Sequence, residues 1–195
     1  MASQDGPRDP ISQKNHDAQV PLEDKLKDLH RFIEKNAIAV FTSHTSDGQL
    51  VSRPMWIKDH STSADLWFLT NKESHKISEL EGDPRVNVAI VKQGEWMSIS
   101  GTAKLVEDRE RIRKYWATQD TIYFPDLKDG VHKGDCEDPR VGLLQVEAQS
   151  VLYMVSDQNI LSSSFEQVKS LVTGEAPHLG SLREISPEEL QRARL

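Results

Sequence analysis

Between Ala37 and Val106, five short β-rich runs follow one another with only turns or one short helix between them. Parallel neighbours would each need a crossover of about a dozen residues, so most of these runs must pair antiparallel. The runs are Ala37–His44, Leu50–Ile57, Asp65–Thr70, Arg85–Val91 and Glu95–Val106. Thr45-Ser46-Asp47-Gly48 joins the first two and reads as a hairpin turn, because Asp-Gly tolerates positive φ. Ala37–His44 reads as a buried strand, and Val86, Val88 and Ile90 give the fourth run one apolar face. Pro54 sits inside the second run. Proline donates no ladder hydrogen bond, so that strand needs an edge or opening there, where a ligand can meet the backbone. Gly101 marks a kink or bulge in the fifth run. Val141–Glu147 and Val151–Val155 read as the last two strands.

Helices fall at the ends of this series. Leu22, Leu26, Leu29 and Ile33 are spaced four, three and four residues apart, with Pro21 at the first turn and Asn36 at the close. Ser74–Glu81 reads as a short helix with Ile77 and Leu80 inward, stopped by Gly82-Asp83-Pro84. Asp108–Ala117 and Ser164–Val172 complete the set. The expected fold is mainly β with peripheral helices: an antiparallel barrel of six or seven strands. Residues 1–20 are polar and read as a disordered tail, residues 21–160 as one domain, and residues 161–195 as a C-terminal helix and loosely attached tail.

Composition narrows the function classes. The 31 acidic residues outnumber 24 basic ones, which weighs against nucleic acid or an anionic membrane as a main partner. No apolar run approaches the length of a spanning helix, and residues 1–20 lack the apolar core of a secretory signal, so the expectation is a cytoplasmic protein. The seven histidines form no H-x₃-H pair, so no metal site is expected. Cys136 lies among Asp135, Glu137 and Asp138, whose charges disfavour a thiolate nucleophile.

The segment from Arg53 to Lys76 is the most informative. Arg53 lies in a strand beside Pro54, Thr70 and Asn71 end the next strand, and Ser74, His75 and Lys76 open a helix. Helix starts carry free N–H groups and a partial positive charge. With a serine hydroxyl and a lysine, such a corner suits one phosphate monoester. The alternative is that Ser74 is only an N-cap and Lys76 a solvated surface residue.

Arg53-Pro54-Met55-Trp56-Ile57-Lys58, Phe68-Leu69-Thr70-Asn71 and Ser74-His75-Lys76 occur in an order that resembles the FMN-binding split-barrel superfamily typified by pyridoxamine 5′-phosphate oxidases. Gly82–Val86, Trp96–Ala103, Asp108-Arg109 and Trp116 agree with it. Within the superfamily the pattern is similar to the general-stress-protein branch and to fungal blue-light-inducible proteins, over about residues 22–160. The resemblance implies a split-barrel homodimer with two FMN molecules at its interface. Arg53 and Lys76 would hold the phosphate, with Ser74 and Thr70 adding hydrogen bonds. The backbone at Pro54, Met55 and Trp56 would face the isoalloxazine ring, and Trp96 would reach the partner's flavin. Leu69, Asn71 and His75 complete the expected cofactor-binding set.

The departures matter too. His75 stands where the oxidases usually have a second arginine, and their C-terminal tryptophan and arginine-rich signature is missing. Lys58 falls where the oxidases use a lysine for the substrate phosphate. Tyr123 or Met154 replaces a tryptophan common in the stress-protein branch. The departures argue against pyridoxamine phosphate oxidation. The expected activity is flavin-dependent oxidation or reduction of another small molecule, with NAD(P)H as a transiently bound donor. The alternatives are an FMN-binding or flavin-storing protein without turnover, and a cofactor-free dimeric barrel.

Overall fold

The structure is a computed structural model that describes residues 9–92, 94–156 and 173–195. Seven strands make one antiparallel sheet: β1 (Ile38–His44), β2 (Leu50–His60), β3 (Leu66–Asn71), β4 (Arg85–Lys92), β5 (Glu95–Val106), β6 (Val141–Val155) and β7 (Ser181–Ile185). Their order is β3-β2-β1-β4-β5-β6-β7, and β3 also pairs with β6. That extra pairing closes β1–β6 into a six-strand barrel and covers most of the edge an open sheet would expose. The expected split-barrel architecture is therefore the one observed. Five helices decorate it among the described residues: α1 (Pro10–Asn15), α2 (Leu22–Lys35), α3 (His75–Gly82), α4 (Arg109–Tyr115) and α5 (Pro187–Ala193).

Alternation of side chains builds the core. Phe41, Phe68, Val88, Ile99, Leu144 and Val151 point inward, and Leu29, Phe32 and Ile33 of α2 join the same cluster. A second cluster gathers Trp67, Ile112, Phe124, Val141 and Leu143 beneath α4. The first strand is buried on one face only: Ala39 and Phe41 are inside, but Ile38 is 55% and Val40 44% exposed. Periodicity could not separate the two cases, because both of its faces are apolar.

Three further readings are corrected. Val141–Val155 is a single 15-residue strand, and the polar Gln149-Ser150 that looked like a break is a bulge in it. The register slips between Ser100 and Gly101, so that Ser100 faces Ser150 and Gly101 faces Ala148. Residues 181–193 are not loosely attached. β7 pairs with the far half of β6, and Ser186-Pro187-Glu188-Glu189 makes a capping box that starts α5, whose Leu190 is fully buried. Nor is the N-terminal segment unstructured from Asp9 onward. Buried Asn15 donates to the carbonyls of Ile11 (2.7 Å) and Pro177 (3.1 Å), and accepts from the amides of Leu179 (2.7 Å) and Gly180 (3.2 Å). The expected helix Ser164–Val172 lies outside the described residues.

Gly101 allows the bulge because a Cβ there would sit 2.1 Å from the Glu147 carbonyl oxygen. Backbone cannot yield as a flexible side chain would. Gly101→Ala should lower stability by about 1–3 kcal/mol or more in urea unfolding. A variant as stable as the parent would contradict this β5–β6 approach.

Candidate functional site

The barrel is split between β2 and β3. These strands pair only at Ile57, Asp59 and His60, with a bulge between Ile57 and Asp59. Above Ile57 the β3-side edge of β2 is open. The amide of Thr45 donates to the Gln49 carbonyl, and that of Ile57 to the Ala37 carbonyl, each at 2.8 Å. Odd-numbered residues of β2 therefore turn their backbone groups toward β1. By strand alternation, Pro54 and Trp56 turn theirs to the open edge. Pro54 is accommodated because its missing N–H falls on the unpaired side.

A cleft of about 540 Å³ opens at this split. Arg53, Pro54, Met55 and Trp56 of β2 line one wall, and Leu69, Thr70 and Asn71 of β3 the other, with Lys76 of α3 above them. Lys58, Asp120, Tyr123 and Phe124 line it as well, with Ile38 from β1.

At the α3 end the cations are incompletely neutralised. Ser74 occupies the N-cap position, but its hydroxyl does not cap the helix. It donates to the Asn71 carbonyl at 2.7 Å and accepts from Lys76 Nζ at 3.2 Å. Lys76 Nζ also donates to Thr70 Oγ1. Among the described residues no carboxylate forms an ion pair with Lys76. Burial, and then the charge of Arg53, push the lysine down to about 8, with Glu79 opposing. It is thus not the solvated lysine of the alternative reading. Arg53 is held from behind: it donates to Ser43 Oγ at 2.8 Å and to Glu79 Oε2 at 3.2 Å, and Ser43 also donates to Glu79 at 3.2 Å. The corner combines an ammonium, a half-shared guanidinium and the first turn of an eight-residue helix, which together favour an anion.

The other lysine is in the opposite condition. Lys58 Nζ donates to both carboxylate oxygens of Asp120, at 2.6 and 2.8 Å, and the two side chains are only 11% and 4% exposed. Asp120 Oδ2 also accepts the Ala117 amide at 2.7 Å. Beside this pair, Tyr123 meets Trp56 edge to face, with ring centroids 6.1 Å apart.

Eight of the eleven residues expected at the cofactor line the cleft: Arg53, Pro54, Met55, Trp56, Leu69, Thr70, Asn71 and Lys76. Ser74 touches it through Lys76. Within the single chain His75 and Trp96 are not brought there, Trp96 being the residue expected at the partner's flavin. His75 is exposed at the start of α3, and Trp96 lies across from Met154 on the outside of β5. Ile38, Asp120 and Phe124 were not anticipated. Asp120 is 62 residues from its lysine, and no local pattern announces such a pairing.

The family model described as "Pyridoxamine 5′-phosphate oxidase like" matches residues 24–178. Protein bli-3 of Neurospora crassa is 39% identical over 189 residues, which is 95% of this chain and 90% of that protein. Two solved structures share the fold. A general stress protein 26-related protein from Clostridium acetobutylicum superposes with a TM-score of 0.60 at 16% identity, covering 86% of this chain and 98% of that one. A pyridoxamine 5′-phosphate oxidase-related, FMN-binding protein from Nostoc punctiforme gives 0.55 at 12% identity, covering 69% and 84%. The chain belongs to the pyridoxamine 5′-phosphate oxidase-like family, and its matches include general stress protein and fungal members as the sequence pattern implied.

The lowered Lys76 value has a stability consequence. Between about 8 and the ordinary 10.5, the folded protein has released this proton while the unfolded chain still holds it. Stability therefore rises with pH across that window. In urea unfolding, the midpoint of the parent should climb from pH 8 to 10 relative to that of Lys76→Met. Parallel pH profiles would contradict a buried Lys76 ammonium.

Proposed function

We propose that this protein binds FMN in the β2–β3 cleft and uses it for oxidation or reduction of a small molecule. One observation carries the reading: a half-buried Lys76, without a carboxylate partner among the described residues, sits at the start of α3, beside an open strand edge. The cleft volume lies in the range of cofactor sites. Family membership and the likeness to a Nostoc protein described as FMN-binding support it.

The residues present fit the group. Lys76, with Ser74 and Thr70, would hold the phosphate, and Arg53 would add the guanidinium that Glu79 keeps in place. The open edge at Pro54 and Trp56 would orient the ring system, and Leu69, Met55 and Ile38 would exclude water. Bound FMN supplies the redox chemistry, so the chain need only bind, orient and tune it. The cleft continues past Trp56 to Tyr123, Phe124 and the Lys58–Asp120 pair, which leaves a place for a second molecule such as a substrate or nicotinamide donor.

A homodimer is part of the same proposal. Ile38 and Val40 stand on the outer face of β1, Val91 on β4 and Leu152 on β6, all substantially exposed. Trp96 lies between the last two, opposite Val91 and Met154. Ile38 also lines the cleft, so a second copy covering this face would reach the site's rim.

Purified protein should be yellow and release FMN, identified by its visible spectrum and mass, and NADPH should bleach the bound flavin. In calorimetry, Lys76→Ala should weaken FMN binding by about 1.5–3 kcal/mol. Affinity should be greatest between the second phosphate ionisation near pH 6 and the Lys76 ionisation, then fall as pH rises through about 8. Colourless protein that ignores added FMN would end this reading. Sedimentation should give a dimer, and a monomer that still held FMN tightly would contradict the shared interface.

A further inference from the structure

The two lysines of the cleft differ in how their charge is met. Among the described residues, Lys76 has no carboxylate clamp. Lys58 is clamped by both oxygens of Asp120, nearly out of water, and Asp120 is itself fixed by the Ala117 amide. The short helical turn Thr118–Ile122 that carries Asp120 ends at Tyr123, so the same segment supplies a carboxylate and an aromatic side chain to this end of the cleft.

We infer that Asp120 is a specificity-determining residue: by neutralising Lys58 it leaves the cleft with a single anion end and reserves the other end for an uncharged group. The nearby walls are Trp56, Tyr123 and Phe124, which offer ring faces and edges. A planar neutral molecule can lie against them while a carbonyl or amide meets the ion pair. A second phosphate or carboxylate would face the carboxylate of Asp120, and drawing Lys58 away would strand that carboxylate nearly out of water. What enters this end is thus a flat, uncharged ring or compound, the nicotinamide of a donor included, and not a phosphate or carboxylate group. This deepens the reading above and takes from it only that the Lys76 end holds an anion.

The test is a titration with inorganic phosphate at pH 7, followed by backbone amide NMR shifts. The parent should show one site, with shifts at Asn71–Ile77. Asp120→Asn keeps the shape and can still accept the Ala117 amide, but it frees Lys58. It should add a second site, with shifts at Ile57–Asp59 and Ala117–Tyr123, at least about tenfold tighter than any response of the parent there. Lys58→Met/Asp120→Asn should lose that gain. The inference is overturned if the parent itself binds phosphate beside Lys58, or if folded Asp120→Asn gains nothing. Should Asp120→Asn fail to fold, Lys76→Ala decides. Loss of phosphate binding in that variant supports the inference, whereas a site that persists and shifts Ile57–Asp59 overturns it. FMN titration of the parent separately decides the cofactor reading, since a protein that binds no FMN can still gain or fail to gain the second phosphate site.

Discussion

Everything distinctive about this barrel follows from how β3 divides its pairing. Along its full length it bonds to β6, from Leu66 opposite Val146 to Asn71 opposite Val141. To β2 it bonds only near its start, at Leu66, Trp67 and Phe68. The first pairing closes the barrel and buries its core. The second stops early and leaves β2 with an exposed run of backbone just where Pro54 has no N–H to offer. A fully zipped β2–β3 pair would give a tighter barrel with no cleft, so the missing hydrogen bonds are the cost of having a site.

The charges are arranged around that opening with different degrees of freedom. Glu79 holds Arg53 from α3, which couples the position of the guanidinium to the docking of the helix that also presents Lys76. Asp120 holds Lys58 from a loop that belongs to a separate hydrophobic cluster through Phe124. One end of the cleft is therefore built by the barrel and α3, and the other by the segment between α4 and β6. Changes in that segment can alter what meets the second end without disturbing the first.

Much of this was legible in the chain. Strand succession, the proline in β2 and the glycine in β5 were enough to place an opening and a bulge, because each rests on a local backbone rule. The Arg53, Thr70, Ser74 and Lys76 corner was legible because a strand end followed by a helix start brings near residues together. Lys58 with Asp120 was not, since that pair depends on how a loop folds back across the barrel. The C-terminal segment misled for a different reason. Its Gly174, Pro177 and Gly180 look like a tail, whereas the Ser-Pro-Glu-Glu sequence at residues 186–189 is a helix-start signal that charge and length obscured. His75 and Trp96 were placed at the cofactor by resemblance alone, and the geometry of a single chain does not bring them there.

The long β6 strand also sets an order for assembly. Hairpins β1–β2 and β4–β5 join residues close in the chain and can form as soon as they are made. Closure joins Leu66 to Val146, a separation of 80 residues, and cannot begin until the sixth strand exists. Non-local contacts of this kind slow folding, because the chain must lose loop entropy before the contact returns anything. A nascent chain that has emerged as far as Val106 therefore holds five strands with an unsealed flank. The later arrival of residues 141–155 turns that vulnerable ribbon into a closed container.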